Sequence, residues 1–93
     1  MEKLYIVHWG SATQDDRGNA SAYSGIHGVY KSADEAKDQL VALKEELYLE
    51  AIHDADDEVQ VYGSVSEDYF EIDYTEDGIP YEVYITINTV ELN

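Results

Sequence analysis

The stretch Ser32-Ala33-Asp34-Glu35-Ala36-Lys37-Asp38-Gln39-Leu40-Val41-Ala42-Leu43-Lys44-Glu45-Glu46-Leu47-Tyr48-Leu49-Glu50-Ala51-Ile52 decides the fold. Ser32 and Glu35 stand three apart, the spacing of a capping box. The Ser32 hydroxyl accepts from the Glu35 amide, and the Glu35 carboxylate reaches back to the Ser32 amide. Asp34 and Glu35 suit the positive end of the helix dipole. Ala36, Leu40, Leu43, Leu47 and Ala51 then recur at spacings of four, three, four and four, which makes one apolar stripe. Val41, Tyr48 and Ile52 are expected to widen it on one side. Asp54-Ala55-Asp56-Asp57 ends the helix with negative charge at its negative pole, a local rule broken without visible compensation.

On either side of this helix the pattern changes to alternation. Leu4 to Trp9 reads as a strand, with Leu4, Ile6 and His8 on one face and Tyr5, Val7 and Trp9 on the other. Both faces are largely apolar, so the strand is expected to be central or covered on both sides. Gly10 to Ser24, rich in small and polar residues, reads as a long loop. Ile26 to Lys31 reads as a second strand antiparallel to the first. Beyond the helix, Glu58 to Val65 reads as a strand with Val59, Val61 and Val65 on one face and Gln60 and Tyr62 on the other. In Asp68 to Tyr74, Phe70, Ile72 and Tyr74 point inward and Tyr69, Glu71 and Asp73 outward. Glu76-Asp77-Gly78 is a turn signal. Pro80 to Leu92 is a long strand with Tyr81, Val83, Ile85 and Ile87 on one face and Glu82, Tyr84, Thr86 and Asn88 on the other; Pro80 sits at its start, where a missing amide is tolerated.

The expected fold is therefore α+β, a single domain over 1–93 in the order β-β-α-β-β-β. One helix packs on one face of a mostly antiparallel sheet, and the other face stays wet. That wet face is expected to carry Gln60, Tyr62, Tyr69, Glu71, Asp73, Glu82, Tyr84, Thr86 and Asn88, tyrosine interleaved with carboxylate.

Charge bounds the function. The 93 residues hold 21 acids and 5 Lys plus Arg, a net of −16. All five bases (Lys3, Arg17, Lys31, Lys37, Lys44) fall in residues 1–44 beside six acids, and residues 45–93 hold 15 acids with no base. Direct binding to nucleic acid is excluded by this balance, because phosphates must be met by Lys and Arg; an anionic membrane repels the chain for the same reason. The 44% hydrophobic content argues against a disordered acidic tail. Absence of cysteine removes disulfides, thiolate zinc sites and thiol nucleophiles together. The N-terminal apolar run is too short for a signal peptide, and nothing approaches a membrane span, so a cytoplasmic location is expected.

Sites of chemistry are weakly marked. Asp54-Ala55-Asp56-Asp57-Glu58 is dense in carboxylate but lacks the alternating acids and glycine of a calcium loop. His8 and His27 are expected to face each other across the first hairpin, and His53 sits near the helix end; their spacing is not that of a zinc site. No nucleophile elbow or phosphate loop is present. The expectation is no enzyme, no cofactor and no metal. The signal that remains is the acidic half together with nine tyrosines beside one Phe and one Trp, since Tyr supplies contact area at protein interfaces. The expected partner-binding residues are Tyr62, Glu67, Asp68, Tyr69, Glu71, Asp73, Glu76, Asp77, Glu82 and Tyr84 on the β-rich half, with Asp54, Asp56, Asp57 and Glu58 as a second acidic patch.

A short, cysteine-free, strongly acidic chain with one capped helix and a sheet rich in Tyr and acids resembles the small phage-encoded inhibitors of bacterial defence. These include anti-CRISPR and anti-restriction proteins, some of which imitate DNA. The resemblance lies in size and charge over the whole chain and not in a motif. It implies a non-enzymatic inhibitor in the host bacterial cytosol that occludes the basic nucleic-acid-binding surface of a host protein. The competing expectation is a structural or regulatory interaction module, a homodimer joined at an unpaired strand edge such as that of the long last strand, whose acidity serves solubility or high salt.

Overall fold

A computed structural model describes residues 2–14 and 20–92. Five strands and one helix follow the expected order: β1 (Glu2–Gln14), β2 (Ala20–Tyr30), α1 (Ala33–Asp54), β3 (Gln60–Ser64), β4 (Tyr69–Glu76) and β5 (Ile79–Leu92), with a short 3-10 turn over Val65–Glu67. All pairings are antiparallel, and the strands form one sheet in the order β2-β1-β5-β4-β3. This is the expected α+β arrangement.

Helix α1 begins where the capping box placed it. The Ser32 hydroxyl accepts from the Glu35 amide at 3.3 Å. Its 22 residues make a rod of about 33 Å, which lies on one sheet face. Ala36, Leu40 and Leu43 meet Val7, Phe70 and Ile85 in the core, with Tyr5, Trp9, Tyr30, Val41, Leu47, Val65 and Ile87 packed around them. Leu40, Ile72, Ile85 and Val7 are the largest fully buried side chains, each worth about 2 kcal/mol of transfer free energy. The stripe is narrower than expected at its end. Ile52 is 49% exposed and Leu49 64% exposed, because Ile52 stands one residue past Ala51, about 100° round the helix, and Leu49 stands two residues from both Leu47 and Ala51, on the side away from the sheet.

Two expectations about the first hairpin are corrected. Residues 10–24 do not form a long loop. The β1–β2 ladder runs on through Gly10↔Ser24 and Ala12↔Ala22 to Gln14↔Ala20, and only residues 15–19 of that stretch lie outside the described residues. Gly and Ala residues have weak strand preference, but pairing on both sides of β1 overrides it. His8 and His27 do not face each other. The register shifts between Val7 and His8, so His8 sits opposite Ile26 and His27 is the extra residue of a bulge. The His27 ring reaches Gln39 on the helix, Nε2 to Oε1 3.2 Å, while His8 lies on the other face. Strand β1 is interior to the sheet, one of the two placements expected for it, and no described element covers the face carrying Leu4, Ile6 and His8.

The last strand is interior to the sheet over part of its length. Residues 81–92 of β5 pair with β1, and residues 79–86 pair with β4. Beyond the Ile87 amide, which donates to the Asp68 carbonyl, residues 88–92 have no ladder partner on the β4 side and form a short free edge of the kind one expectation names. The outermost strands of the sheet are β2 and β3.

Candidate functional site

The wet face is assembled by register. Tyr62 on β3, Glu71 on β4 and Tyr84 on β5 form one row across the sheet, followed by Gly10 on β1. The next row is Gln60, Asp73, Glu82 and Ala12, and the one before is Ser64, Tyr69, Thr86 and His8. Six of the expected binding residues therefore share one surface: Tyr62, Tyr69, Glu71, Asp73, Glu82 and Tyr84. Gly10 makes room for Tyr84. A β-carbon at Gly10 would stand 2.2 Å from the Tyr84 ring, so the ring lies down over the β1 backbone rather than standing off the sheet.

Within this surface the carboxylates crowd one another. Asp73 sits directly opposite Glu82 and two residues from Glu71 on the same face, an arrangement of like charges that costs stability. Burial, helped by Glu71 as acceptor for the protonated form and by the charges of Glu71 and Glu82, pushes the Asp73 carboxyl up to about 6. Its Oδ1 is buried without a hydrogen-bond partner. The Tyr69 hydroxyl donates to Glu71 Oε1 at 2.5 Å. That bond, with burial and the neighbouring carboxylates, pushes the Tyr69 phenol up to about 12.

The second expected patch joins the first at one end of the molecule. Asp77 and Gly78 both take positive φ (53° and 80°), the conformation a two-residue hairpin turn between β4 and β5 requires. Asp56, just past the helix, is tied to that turn. Its amide donates to the Thr75 carbonyl at 2.8 Å, and its Oδ2 accepts from the Gly78 amide at 3.0 Å. The acidic helix end is thus compensated, and the broken local rule has a structural reason. Asp54, Asp57 and Glu58 from the helix end, Glu76 and Asp77 from the turn, and Asp73 and Glu82 from the sheet converge here. A depression of about 230 Å³ at this end is lined in part by Glu58, Gln60, Asp73, Tyr74, Tyr81 and Glu82. Tyr74 and Tyr81 stack beside it, with ring centroids 5.2 Å apart. Burial and the charges of Glu76 and Asp54 raise the Tyr74 phenol above its usual range.

Two expected residues are turned away. Asp68 takes φ 56° at the end of the 3-10 turn, and its carbonyl accepts from the Ile87 amide at 3.0 Å. That places it on the helix side, where its carboxylate pairs with Lys37 at 3.0 Å. Glu67 stays in the turn and accepts from the Ser64 hydroxyl at 3.0 Å. Three of the four described lysines are paired elsewhere. Lys3 pairs with Glu91, Lys37 with Asp68 and Lys44 with Glu45, while Lys44 also lies over the Phe70 ring. None of these pairs reaches the acidic end.

Sequence reasoning missed the apolar remainder of the wet face. Leu4 and Ile6 on β1, Ile26 and Val29 on β2 and Val90 on β5 share it, with Ile26 62%, Val29 52% and Val90 40% exposed. Strict alternation would separate Ile26 from Val29. The extra residue at the His27 bulge returns both to one face, and a one-residue irregularity of this kind leaves no mark in hydropathy.

No family model matches this chain, and no curated protein and no solved structure matches it. Among the described residues, no helix is long and apolar enough to cross a membrane.

Proposed function

We propose that this chain is a non-enzymatic acidic binding protein that docks on the basic nucleic-acid-binding surface of a host protein, such as a CRISPR effector or a restriction enzyme, and keeps nucleic acid from it. The observation that supports this reading most is the end where Asp54, Asp57, Glu58, Asp73, Glu76, Asp77 and Glu82 converge and none of the described ion pairs of Lys3, Lys37 and Lys44 reaches. Carboxylates fixed on a rigid sheet and a tied-down turn accept charge-assisted bonds from Arg and Lys, as phosphates do. Their summed field steers a basic partner inward. Tyr62 and Tyr84 add contact area beside the acids.

The test is capture from a bacterial lysate at low salt by the immobilised protein. The expected captive is a nucleic-acid-binding protein that is released both by salt and by excess duplex DNA. A Glu58→Lys/Glu76→Lys/Glu82→Lys variant should weaken capture roughly a hundredfold. A captive that ignores DNA, salt and the three lysines would sink the proposal.

A further inference from the structure

Strand β1 from Leu4 to Gln14 and all of β2 contain no Asp, Glu, Lys or Arg, in a chain that is 28% charged. β2 is also a free sheet edge of 11 residues. Natural edges are guarded by shortness, lysine, proline or a bulge. The other outermost strand, β3, is guarded by shortness, with five residues ending in a 3-10 turn, and the free end of β5 past Ile87 is short and carries Glu91. β2 has a single guard, the bulge at His27. Above it, Ala20 to Ser24 are all exposed, and Tyr23 is 68% exposed.

We propose that β2 is a homodimerisation edge: two copies pair their Ala20–Ile26 segments antiparallel across a two-fold axis, giving one continuous ten-stranded sheet. Antiparallel pairing of a strand with itself satisfies the self-complementarity a two-fold interface demands. Charge selects the occupant. A basic partner is drawn to the acidic end, whereas a second copy of a −16 chain is repelled wherever acids face acids. An uncharged edge is where two such copies can approach. The carboxylates of β4 lie three strand spacings from β2, about 14 Å, and those of two paired copies about 34 Å from each other across the sheet. The first distance already exceeds the screening length of about 8 Å at physiological salt, but both fall near or within range at roughly 0.01 M. A register centred on Tyr23 sets Ile26 beside Ala20 of the second copy and covers part of its exposed surface.

A ladder this short belongs to the small-interface class, so the dimer is expected at tens of micromolar chain. Sedimentation equilibrium should give about twice the 10.5 kDa chain mass at moderate and high salt and the single mass at low salt. This salt dependence is opposite in sign to that of the partner complex above, so failure of one reading is distinguishable from failure of the other. Tyr23→Lys places two ammonium groups face to face and should weaken the dimer at least tenfold. Tyr62→Lys on the β3 edge should leave it unchanged. The chain has no cysteine, so Tyr23→Cys is a clean probe: mild oxidation should give a covalent dimer much faster than for Tyr62→Cys. Tyr23 is exposed, and circular dichroism should show both its variants folded. A single-chain mass at all salt concentrations, or equal cross-linking of the two cysteine variants, overturns the proposal.

Discussion

The two halves of the wet sheet face are built on the same backbone and differ in everything else. On the β3-β4-β5 side, Tyr62, Tyr69, Glu71, Asp73, Glu82 and Tyr84 crowd acids and phenols together, and burial with the neighbouring acids pushes the Asp73 carboxyl up to about 6. On the β1-β2 side, Leu4, Ile6, Ile26 and Val29 lie in stretches without Asp, Glu, Lys or Arg, and the ionised residues of these two strands are only Glu2 and Lys3 at the start of β1. The helix packs beneath the core of both, so this difference is not imposed by the fold. It separates a surface suited to long-range attraction of a basic partner from one that can meet a like-charged copy at short range.

The largest expected effect comes from replacing isoleucine on the two sides. Ile72 of β4 points inward and is fully buried, and Ile26 of β2 points outward and is 62% exposed. Ile72→Ala should cost about 3 kcal/mol in cavity and transfer terms, lowering Tm by roughly 15 °C. Ile26→Ala should change stability by less than about 0.5 kcal/mol. Comparable losses at both sites in thermal melts at low salt, where the chain is expected as a single copy, would mean that the chain's own fold covers Ile26, and the contrast between the halves would break there.

A smaller effect separates structural from free acids at the charged end. Asp56 holds the helix end to the β4–β5 turn through the Gly78 amide, whereas Glu58 is exposed. Asp56→Ala should cost about 1.5 kcal/mol, the value of an exposed bond to a charged acceptor partly offset by relief of charge near the helix C-terminus. Glu58→Gln should cost nothing measurable in denaturant melts, yet weaken capture of a basic partner. If Glu58→Gln destabilises as much as Asp56→Ala, the acids of this end serve the fold rather than a partner.

These contrasts also show what the sequence could carry. The helix was legible because Ser32, Glu35 and the Ala36–Ala51 stripe are local signals, and β4 and β5 were legible because Phe70, Ile72, Val83 and Ile85 keep strict alternation. The arms of the first hairpin were not, since Gly10 to Gln14 and Ala20 to Ser24 are strands by pairing and not by preference. The tyrosine and carboxylate surface followed from alternation alone. The joining of the two acidic patches did not, because it depends on a contact between Asp56 and Gly78 across 22 residues. Asp68 was misplaced although alternation with Phe70 and Ile72 already set it inward; the left-handed turn at Asp68 and the Ile87 amide bond to its carbonyl hold it on that side.

The smallest expected effect concerns Asp73 and has a sign that pH can test. Its folded-state carboxyl titrates at about 6 against about 4 in an unfolded chain. The folded protein therefore binds this proton more tightly, and stability from this group falls as pH rises from about 4 through 6. The penalty is fully present at neutral pH and absent below about 4. Allowing for solvent screening, it amounts to about 1 kcal/mol. Asp73→Asn should then raise Tm by roughly 5 °C near neutral pH, with the gain vanishing at acidic pH, where the native residue is already neutral. A gain of equal size at both pH values would assign the effect to packing instead of charge. The neutral side that lacks such a cluster supplies the control: Ser24→Asn, on the same face of β2, should show no pH-dependent gain. A carboxylate kept at Asp73 against its own stability is what a surface shaped by attraction to a basic partner requires, so the stabilised Asp73→Asn protein should also bind that partner less well at low salt.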